Sequence, residues 1–196
     1  MSELTKRYPC EIDCQGSEVS ISLLRPEDKS ELLAFAGTLP THDLLFLSRD
    51  IQEPRVISAW IKSIEEGDIV SVVARKGGEI AGTTAVVTDK HSWSSHVGEL
   101  RVLIGLDSRD IGLGRQLIQE SFLIGLDLGL EKLTARMTVD QDSAIKVFEE
   151  MGFRTEALLK DHVKDRDGIK HDIIILSHDV DRLQAQMQAY GLDEAF

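Results

Sequence analysis

A short segment between an apolar strand pattern and an apolar helix pattern has the composition of an anion-binding loop. This 109–115 loop consists of Arg109, Asp110, Ile111, Gly112, Leu113, Gly114 and Arg115. The first N–H groups of a helix have no acceptor within the helix, and the helix dipole adds partial positive charge there. Glycines would let phosphate oxygens approach the backbone, and the two arginines could add charge-assisted hydrogen bonds. The loop therefore predicts a pyrophosphate site, although an ordinary strand-to-helix turn has a similar composition.

The glycine spacing of this loop argues against two common nucleotide sites. The loop does not read Gly-x-Gly-x-x-Gly, so the fingerprint of dinucleotide-binding oxidoreductases is missing. The chain also has no Gly-Lys-Ser/Thr phosphate loop of the kind that binds ATP. An oxidoreductase that uses a dinucleotide is therefore the least favoured enzyme class.

The histidines and cysteines do not predict a metal site. His162, His171 and His178 have spacings that match no zinc signature. We expect them to be exposed residues of a hairpin rather than catalytic residues. Cys10 and Cys14 lack two further ligands at a suitable spacing. We therefore expect reduced, structural thiols and no metal.

The elements around the loop form a strand–helix–strand unit. Val97 to Ile104 reads as a strand, Gly112 to Leu128 has apolar residues at helical spacing, and Leu133 to Val139 lies in a clearly alternating strand. Further strand patterns are Tyr8 to Cys14, Val19 to Leu24, Ile69 to Ala74, Glu79 to Val87, Phe153 to Lys164 and Ile169 to Leu176. Further helix patterns begin after Asp28, at Pro54 and near Ala144, with a short terminal helix containing Leu183, Met187 and Tyr190. The order predicts a mixed α/β fold with a mostly antiparallel sheet covered by helices.

The composition narrows the classes of partner. Apolar residues make up 42%, and 34 acidic residues against 22 basic ones give a net charge of −12. Nucleic-acid binding is disfavoured because it needs basic surface. No apolar run approaches the roughly 20 residues of a membrane span, and the N-terminus lacks an apolar signal core. We therefore expect a cytoplasmic protein that binds neither membrane nor nucleic acid. The acidic surface weakly favours cationic partners, although it commonly serves solubility alone.

Two sequence blocks resemble the GNAT superfamily of acetyltransferases. Residues 109–114 resemble the family motif Gln/Arg-x-x-Gly-x-Gly/Ala, and residues 98–104 resemble its fourth core strand. Residues 140–153 resemble a second block, typically Asn-x-x-Ala followed by a helix and Tyr-Glu-x-x-Gly-Phe. The order of strands and helices matches over residues 19–180. The chain is therefore identified as one acetyltransferase domain spanning residues 1–196, with a core of about 19–180.

The resemblance implies a sheet of about seven strands and a V-shaped cleft between strands four and five. The pantetheine arm of acetyl-coenzyme A would lie along Val102, Leu103 and Ile104, and its pyrophosphate would lie on the 109–115 loop. The remaining residues expected to bind the cofactor are Gln141, Ser143 and Phe148. The alternative interpretation is that Ser143 is a residue at the start of a helix without a chemical role. It is not expected to be a nucleophile, because the chain has no Gly-x-Ser-x-Gly motif.

Two positions depart from the family pattern. Gln141 replaces the usual asparagine but keeps an amide, and Phe148 replaces a tyrosine that often protonates the departing thiolate. Phenylalanine cannot donate a proton, so water would have to supply it. Phe148 keeps open the alternative of a non-catalytic module that senses acyl-coenzyme A.

Glu99 is the candidate general base, because similar family members carry a carboxylate on this strand beside the cleft. The reaction needs a neutral amine, and an alkyl ammonium with a pKa near 10 must first lose a proton. Arg101 lies two residues away on the same strand face, so a plain ion pair is an equally good interpretation.

The acceptor is expected to be a primary amine of a small molecule or of a peptide, and a homodimer is compatible with the sequence. By position, Leu39 to Ile51 resembles the segment that often shapes the acceptor pocket in this superfamily. This 39–51 segment contains Pro40, His42, Asp43, Phe46 and Arg49, with weak periodicity. A surface helix without a special role would have a similar composition.

Overall fold

The strands and helices alternate in the order that the sequence predicts. The computed structural model describes residues 6–180. Within them the strands are β1 (Cys10–Cys14), β2 (Ser17–Leu23), β3 (Ile69–Lys76), β4 (Glu79–Val87), β5 (Val97–Ile104), β6 (Lys132–Thr138), β7 (Arg154–Lys164) and β8 (Lys170–Asp179). The α-helices are α1 (Lys29–Thr38), α2 (Pro54–Glu65), α3 (Leu113–Asp127) and α4 (Asp142–Glu150), with short 3-10 turns at Pro26–Asp28, Thr41–Leu44 and Leu106–Ser108.

All eight strands form one sheet in the order β1-β2-β3-β4-β5-β6-β8-β7. Neighbouring strands are antiparallel except β5 and β6, which are parallel and connected through α3. The expected mixed, mostly antiparallel sheet is therefore confirmed, with eight strands rather than about seven. The strand expected as the fourth is the fifth because β1 precedes it and pairs with β2.

Apolar cores lie on both faces of the sheet. One core contains Leu117 of α3 and Phe148 of α4, and the other contains Phe35 of α1 and Ile57 of α2. Consecutive residues of a strand point to opposite faces, and accordingly Val72 and Val73 of β3 belong to different cores. Helices cover both faces of the sheet, so consecutive residues in the middle of β3 and of β4 are all buried, instead of alternating between buried and exposed.

Local turn chemistry explains several boundaries. Gly77 and Gly78 join β3 to β4 with positive φ values of 61° and 92°, which glycine adopts readily. Asp28 is the N-cap residue of α1, where the sequence indicates the helix start, but its side chain makes no capping hydrogen bond. Its carboxylate instead accepts hydrogen bonds from the Arg25 N–H at 2.8 Å and from Arg75 at 2.6 Å. The predicted terminal helix lies outside the described residues.

The described part of the chain has no membrane-spanning helix, since none of its helices is both long enough and apolar enough. Cys10 and Cys14 are free thiols, as expected. Burial raises the pKa of both thiols, so neither has the lowered pKa of a reactive cysteine.

Candidate functional site

The central strands β5 and β6 separate part-way along their length. Their parallel ladder runs from Val97, paired with Lys132, to Leu100, paired with Ala135. Beyond Leu100, the remaining residues of β5 pair with β4 alone, while the end of β6 pairs with β8. One edge of the backbone at Val102, Leu103 and Ile104 therefore faces a wedge between the strands instead of another strand.

This wedge opens into a cavity of about 830 Å³. Its walls are the diverging strands, the 109–115 loop, the first turns of α4 and part of the 39–51 segment. Eleven of the residues predicted to bind the cofactor line it: Val102, Leu103, Ile104, Arg109, Asp110, Gly112, Gly114, Arg115, Gln141, Ser143 and Phe148. These residues come from sequence blocks about 30 residues apart. They meet around one space because β5 and β6 are parallel, so that the segments that follow the two strands lie at the same edge of the sheet.

The 109–115 loop opens toward the cavity at the start of α3. Asp110 and Gly112 have positive φ values of 62° and 80°, and they turn the chain sharply before the helix. The first intrahelical bond runs from the Gln116 N–H to the Gly112 carbonyl at 3.3 Å. The three helical N–H groups before Gln116 therefore need an acceptor outside the helix.

Both arginines of the loop are paired with carboxylates. Arg109 donates to Asp43 of the 39–51 segment, and Arg115 donates to Glu150 at the end of α4. Each guanidinium is partly exposed beside the cavity. A phosphate group that entered the loop could therefore replace these carboxylates as the hydrogen-bond acceptor of the two arginines.

Two of the predicted cofactor residues lie behind the cavity wall. Ile111 is half-buried against the core beneath α3, and Leu113 is fully buried in it. Their side chains anchor the loop, and only their backbone groups could reach a ligand. Motif matching alone does not show which side chains of the loop are buried in this way.

Residues at the start of α4 hold the opposite wall. The Gln141 side-chain oxygen accepts a hydrogen bond from the Thr138 N–H at 3.3 Å, which leaves its NH₂ group available. Phe148 is buried and packs edge-to-face on Phe153, with ring centroids 5.0 Å apart. Phe148 therefore contributes an apolar wall and no proton donor.

Glu99 lies on the face of the sheet that α1 and α2 cover, and it does not line the cavity. Its carboxylate accepts a hydrogen bond from Arg101 at 2.7 Å, and its other oxygen lies 3.7 Å from Nε of Arg136. Arg136 itself lines the cavity. One guanidinium thus approaches each oxygen of the carboxylate.

The comparison with family models decides the identity of the fold. The model described as the acetyltransferase (GNAT) family matches residues 30–153, more than half of the 196 residues. The chain belongs to the acetyltransferase (GNAT) family. It is therefore an acyltransferase with acetyl-coenzyme A as its acyl donor, as the two sequence blocks led us to expect.

Solved structures support the same fold at low sequence identity. A putative acetyltransferase from Salmonella typhimurium with its cofactor acetyl-CoA has a TM-score of 0.71 and 15% identity, covering 83% of this chain and 94% of that one. The ribosomal-protein-alanine N-acetyltransferase from Brucella melitensis has a TM-score of 0.69, 18% identity and coverage of 81% and 98%. Spermidine N-acetyltransferase from Vibrio cholerae, in complex with CoA and spermine, has a TM-score of 0.71, 15% identity and coverage of 85% and 98%. No curated protein matches the sequence.

The 39–51 segment lies across the mouth of the acetyltransferase cleft. Its residues Leu39, His42, Asp43 and Phe46 line the cavity, whereas Arg49 lines a smaller neighbouring one of about 320 Å³. The Gln52 side chain fixes the end of the segment by donating to the carbonyls of Ala36 and Leu39 at 3.0 and 2.9 Å.

One constellation at this mouth was not predicted from the sequence. His42, Asp140 and His171 come from the 39–51 segment, the β6–α4 connection and β8, and His42 Nε2 lies 3.1 Å from Asp140 Oδ1. The pKa of Asp140 is held below its usual value, chiefly by a hydrogen bond from Thr138 and also by the nearby His42. Because these residues are far apart in the sequence, no local spacing could have indicated the cluster.

Proposed function

We propose that this acetyltransferase transfers the acetyl group of acetyl-coenzyme A to a primary amine of a small molecule or of a peptide N-terminus. The observation that carries the proposal is the meeting of the β5–β6 wedge and the start of α3 in one cavity. A long thioester needs both an extended edge to lie along and an anion site at its diphosphate end.

The proposed path of the cofactor follows the exposed backbone. The pantetheine arm would extend along Val102, Leu103 and Ile104, whose free edge can exchange amide hydrogen bonds with it. The diphosphate would accept hydrogen bonds from the N–H groups at the start of α3 and from Arg109 and Arg115. The amide of Gln141 and the hydroxyl of Ser143 would contact the cofactor from the opposite wall.

The chemistry then needs few side chains. The neutral amine nitrogen attacks the thioester carbonyl and forms the new C–N bond, and the carbonyl oxygen becomes an oxyanion near a backbone N–H of β5. When the tetrahedral intermediate collapses, the C–S bond breaks and coenzyme A leaves as a thiolate with the electron pair. The nitrogen, which became cationic on attack, loses a proton to water, and water returns a proton to the sulfur because Phe148 has none to give.

Glu99 is the proposed acceptor of the amine's proton. It lies on the α1–α2 face of the sheet, toward which the 39–51 segment also projects. Since Arg101 and Arg136 approach its two oxygens, the proton would travel through a water molecule rather than directly. The rival role is structural, in which Glu99 holds the two arginines beside the wedge.

Two kinds of acceptor fit the open mouth of the cleft. The similar structures include an enzyme named for spermidine and one named for the alanine of a ribosomal protein. Asp43, Asp140 and Asp142 contribute negative charge to the cavity wall, which suits a cationic amine of either kind. We propose in addition that a peptide can be the acceptor, that the protein forms a homodimer, and that residues 1–196 form a single catalytic domain.

A screen for coenzyme A release tests the proposed reaction. Acetyl-coenzyme A is mixed with the enzyme and polyamines, amino acids or short peptides, and free thiol is measured against time. We expect release that depends on one class of amine, together with a mass increase of one acetyl group on that amine. Tight binding of acetyl-coenzyme A without acetylation of any amine would instead support the sensing module.

A further inference from the structure

Three potential metal ligands meet on the α1–α2 face at the mouth of the cleft. His42, Asp140 and His171 each offer one ligand atom, and these atoms all lie within 4.8 Å of one another. The two imidazole rings are edge-to-face, with centroids 5.2 Å apart and an interplanar angle of 67°. Two imidazoles and one carboxylate are ligands typical of Zn²⁺ sites.

Two of the separations are close to those of ligands that share one ion, and all ligand atoms lie within 4.8 Å of one another. With Zn–N and Zn–O bonds of about 2.1 Å and a tetrahedral angle, two ligand atoms are about 3.4 Å apart and two imidazole centroids about 5.3 Å. The observed values are 3.1 Å from His42 Nε2 to Asp140 Oδ1 and 5.2 Å between centroids. Small side-chain rotations would therefore be enough to place the three donors around an ion.

A further carboxylate supports one of the histidines from behind. His171 Nε2 lies 2.9 Å from Asp165 Oδ2, and His171 is only 19% exposed. Metal-binding histidines almost always use their second ring nitrogen in this way, because the hydrogen bond fixes the tautomer and the ring orientation. Asp165 is itself held by hydrogen bonds from the N–H groups of Asp167 and Ile169 at 2.9 and 2.8 Å.

The exposure of the ligands indicates a site with an open coordination position. His42 and Asp140 are 38% and 59% exposed, and both line the acetyltransferase cavity. Three protein ligands with a free fourth position are typical of zinc sites that hold water or a small ligand, whereas purely structural sites have four protein ligands.

We infer that His42, Asp140 and His171 form a binding site for one zinc-type divalent ion, with Asp165 orienting His171. The ion would join the 39–51 segment to the β6–α4 connection and to β8. Mg²⁺ and Ca²⁺ prefer sites of oxygen ligands, so they should not compete. The inference does not depend on acetyl transfer, since it concerns residues that bind the ion in the absence of cofactor.

Titration of the untagged, metal-stripped protein with Zn²⁺ tests the site. Isothermal calorimetry in the presence of excess Mg²⁺ should give one ion per chain, and bound Co²⁺ should give the visible absorption of a four- or five-coordinate complex. H42A and H171A should each lower the Zn²⁺ affinity about 100-fold, and D165N should lower it about 10-fold. His162→Ala is the matched control, because His162 is an exposed histidine on the same hairpin.

Two results would overturn the inference. The first is equal Zn²⁺ affinity in the wild-type protein and the H42A/H171A double variant, which would assign binding to other surface groups. The second is the absence of any stoichiometric Zn²⁺ or Co²⁺ complex, which would leave the cluster as hydrogen-bonded pairs. Circular dichroism of each variant establishes that it is folded, and D165N provides a second measurement should H171A unfold.

Discussion

Two of the walls of the cleft, the 109–115 loop and the 39–51 segment, are built in different ways. The 109–115 loop presents mainly backbone N–H groups, and its glycines and helix start are adjacent in the sequence. The 39–51 segment presents side chains, and each of its partners comes from a distant position: Asp43 contacts Arg109, His42 contacts Asp140, and Gln52 joins Asp50 in binding Arg166 of the β7–β8 hairpin. The wall formed by the 109–115 loop depends on local sequence, whereas the wall formed by the 39–51 segment depends on tertiary contacts.

We infer from this contrast that the 109–115 loop suits a cofactor that does not change, whereas the 39–51 segment can vary with the acceptor. Backbone groups make the same hydrogen bonds whatever the neighbouring side chains are, so a loop of this kind suits one constant ligand. Side chains can change without altering the fold, which suits a family whose acceptors differ.

The largest effect is expected from Glu99, which lies on the α1–α2 face of the sheet and does not line the cavity. If it removes the amine's proton, Glu99→Gln keeps the shape but loses the basic oxygen, and the turnover number should fall by about 10² to 10⁴. The loss should shrink at alkaline pH, where more of the amine is already neutral. Steady-state kinetics with the amine found in the screen measure both.

Glu156→Gln is the control for this change, because it also removes a carboxylate that is paired with a cation, here Lys132, away from the cavity. A purely structural Glu99 would give the opposite pattern. Unfolding free energy would fall by about 0.2 to 1 kcal/mol, and turnover would stay within the range of the control at every pH.

A carboxylate introduced into the loop wall should weaken cofactor binding. Gly114 has no left-handed backbone, and a Cβ added there would meet only Ile104 Cγ1, at 3.9 Å. Gly114→Glu should therefore fold normally, while its charge opposes the diphosphate. We expect the Kd for acetyl-coenzyme A to rise by about 10² to 10³, measured by calorimetry.

Gly37→Glu adds the same charge to an exposed position of α1 with open space around it, so it serves as the matched control. An unchanged Kd in a folded Gly114→Glu protein would contradict the anion site. Gly112 is less suitable for the test, since its φ of 80° makes any side chain strained regardless of the ligand.

The two walls also differ in how far the sequence predicts them. The periodicity of residues 97–139 and the glycines of the loop predict the strand, the helix and the anion site, because these depend on neighbours in the chain. The β7–β8 hairpin was predicted as well, since turn residues separate its strands. The sequence did not predict that His171 of this hairpin lies beside His42, because that depends on the order β6-β8-β7 in the sheet.

A smaller effect is expected where the two walls meet. Asp43 and a bound diphosphate would compete for Arg109, so Asp43→Asn should bind acetyl-coenzyme A more tightly. For an exposed ion pair the gain should be about two- to fivefold. Asp50→Asn is the control, because it removes an ion pair with Arg166 rather than with Arg109. Weaker binding by Asp43→Asn would indicate instead that the pair holds the loop in its binding shape.

The smallest effect concerns a histidine that lies behind the cleft rather than in it. His178 is 9% exposed, and its ring packs edge-to-face on Phe122 and Phe153, with centroids 5.2 Å away in both cases. Burial lowers the pKa of His178, and this outweighs the opposite influence of the Asp179 backbone and carboxylate.

The sign of the resulting pH dependence follows from linkage. Below about pH 6.5, His178 of the unfolded chain takes up a proton that the folded protein still excludes, so stability falls as the pH falls. Above that pH the residue is neutral in both states, so it does not make stability depend on pH. His178→Leu removes the titration but keeps an apolar side chain, and His162→Leu, which replaces an exposed histidine, is the control. Urea unfolding at pH 5 and pH 7 should give a smaller loss of stability in His178→Leu than in the wild type. Equal losses in all three proteins would mean that the ring is protonated as easily in the folded state, and that the aromatic cluster admits water.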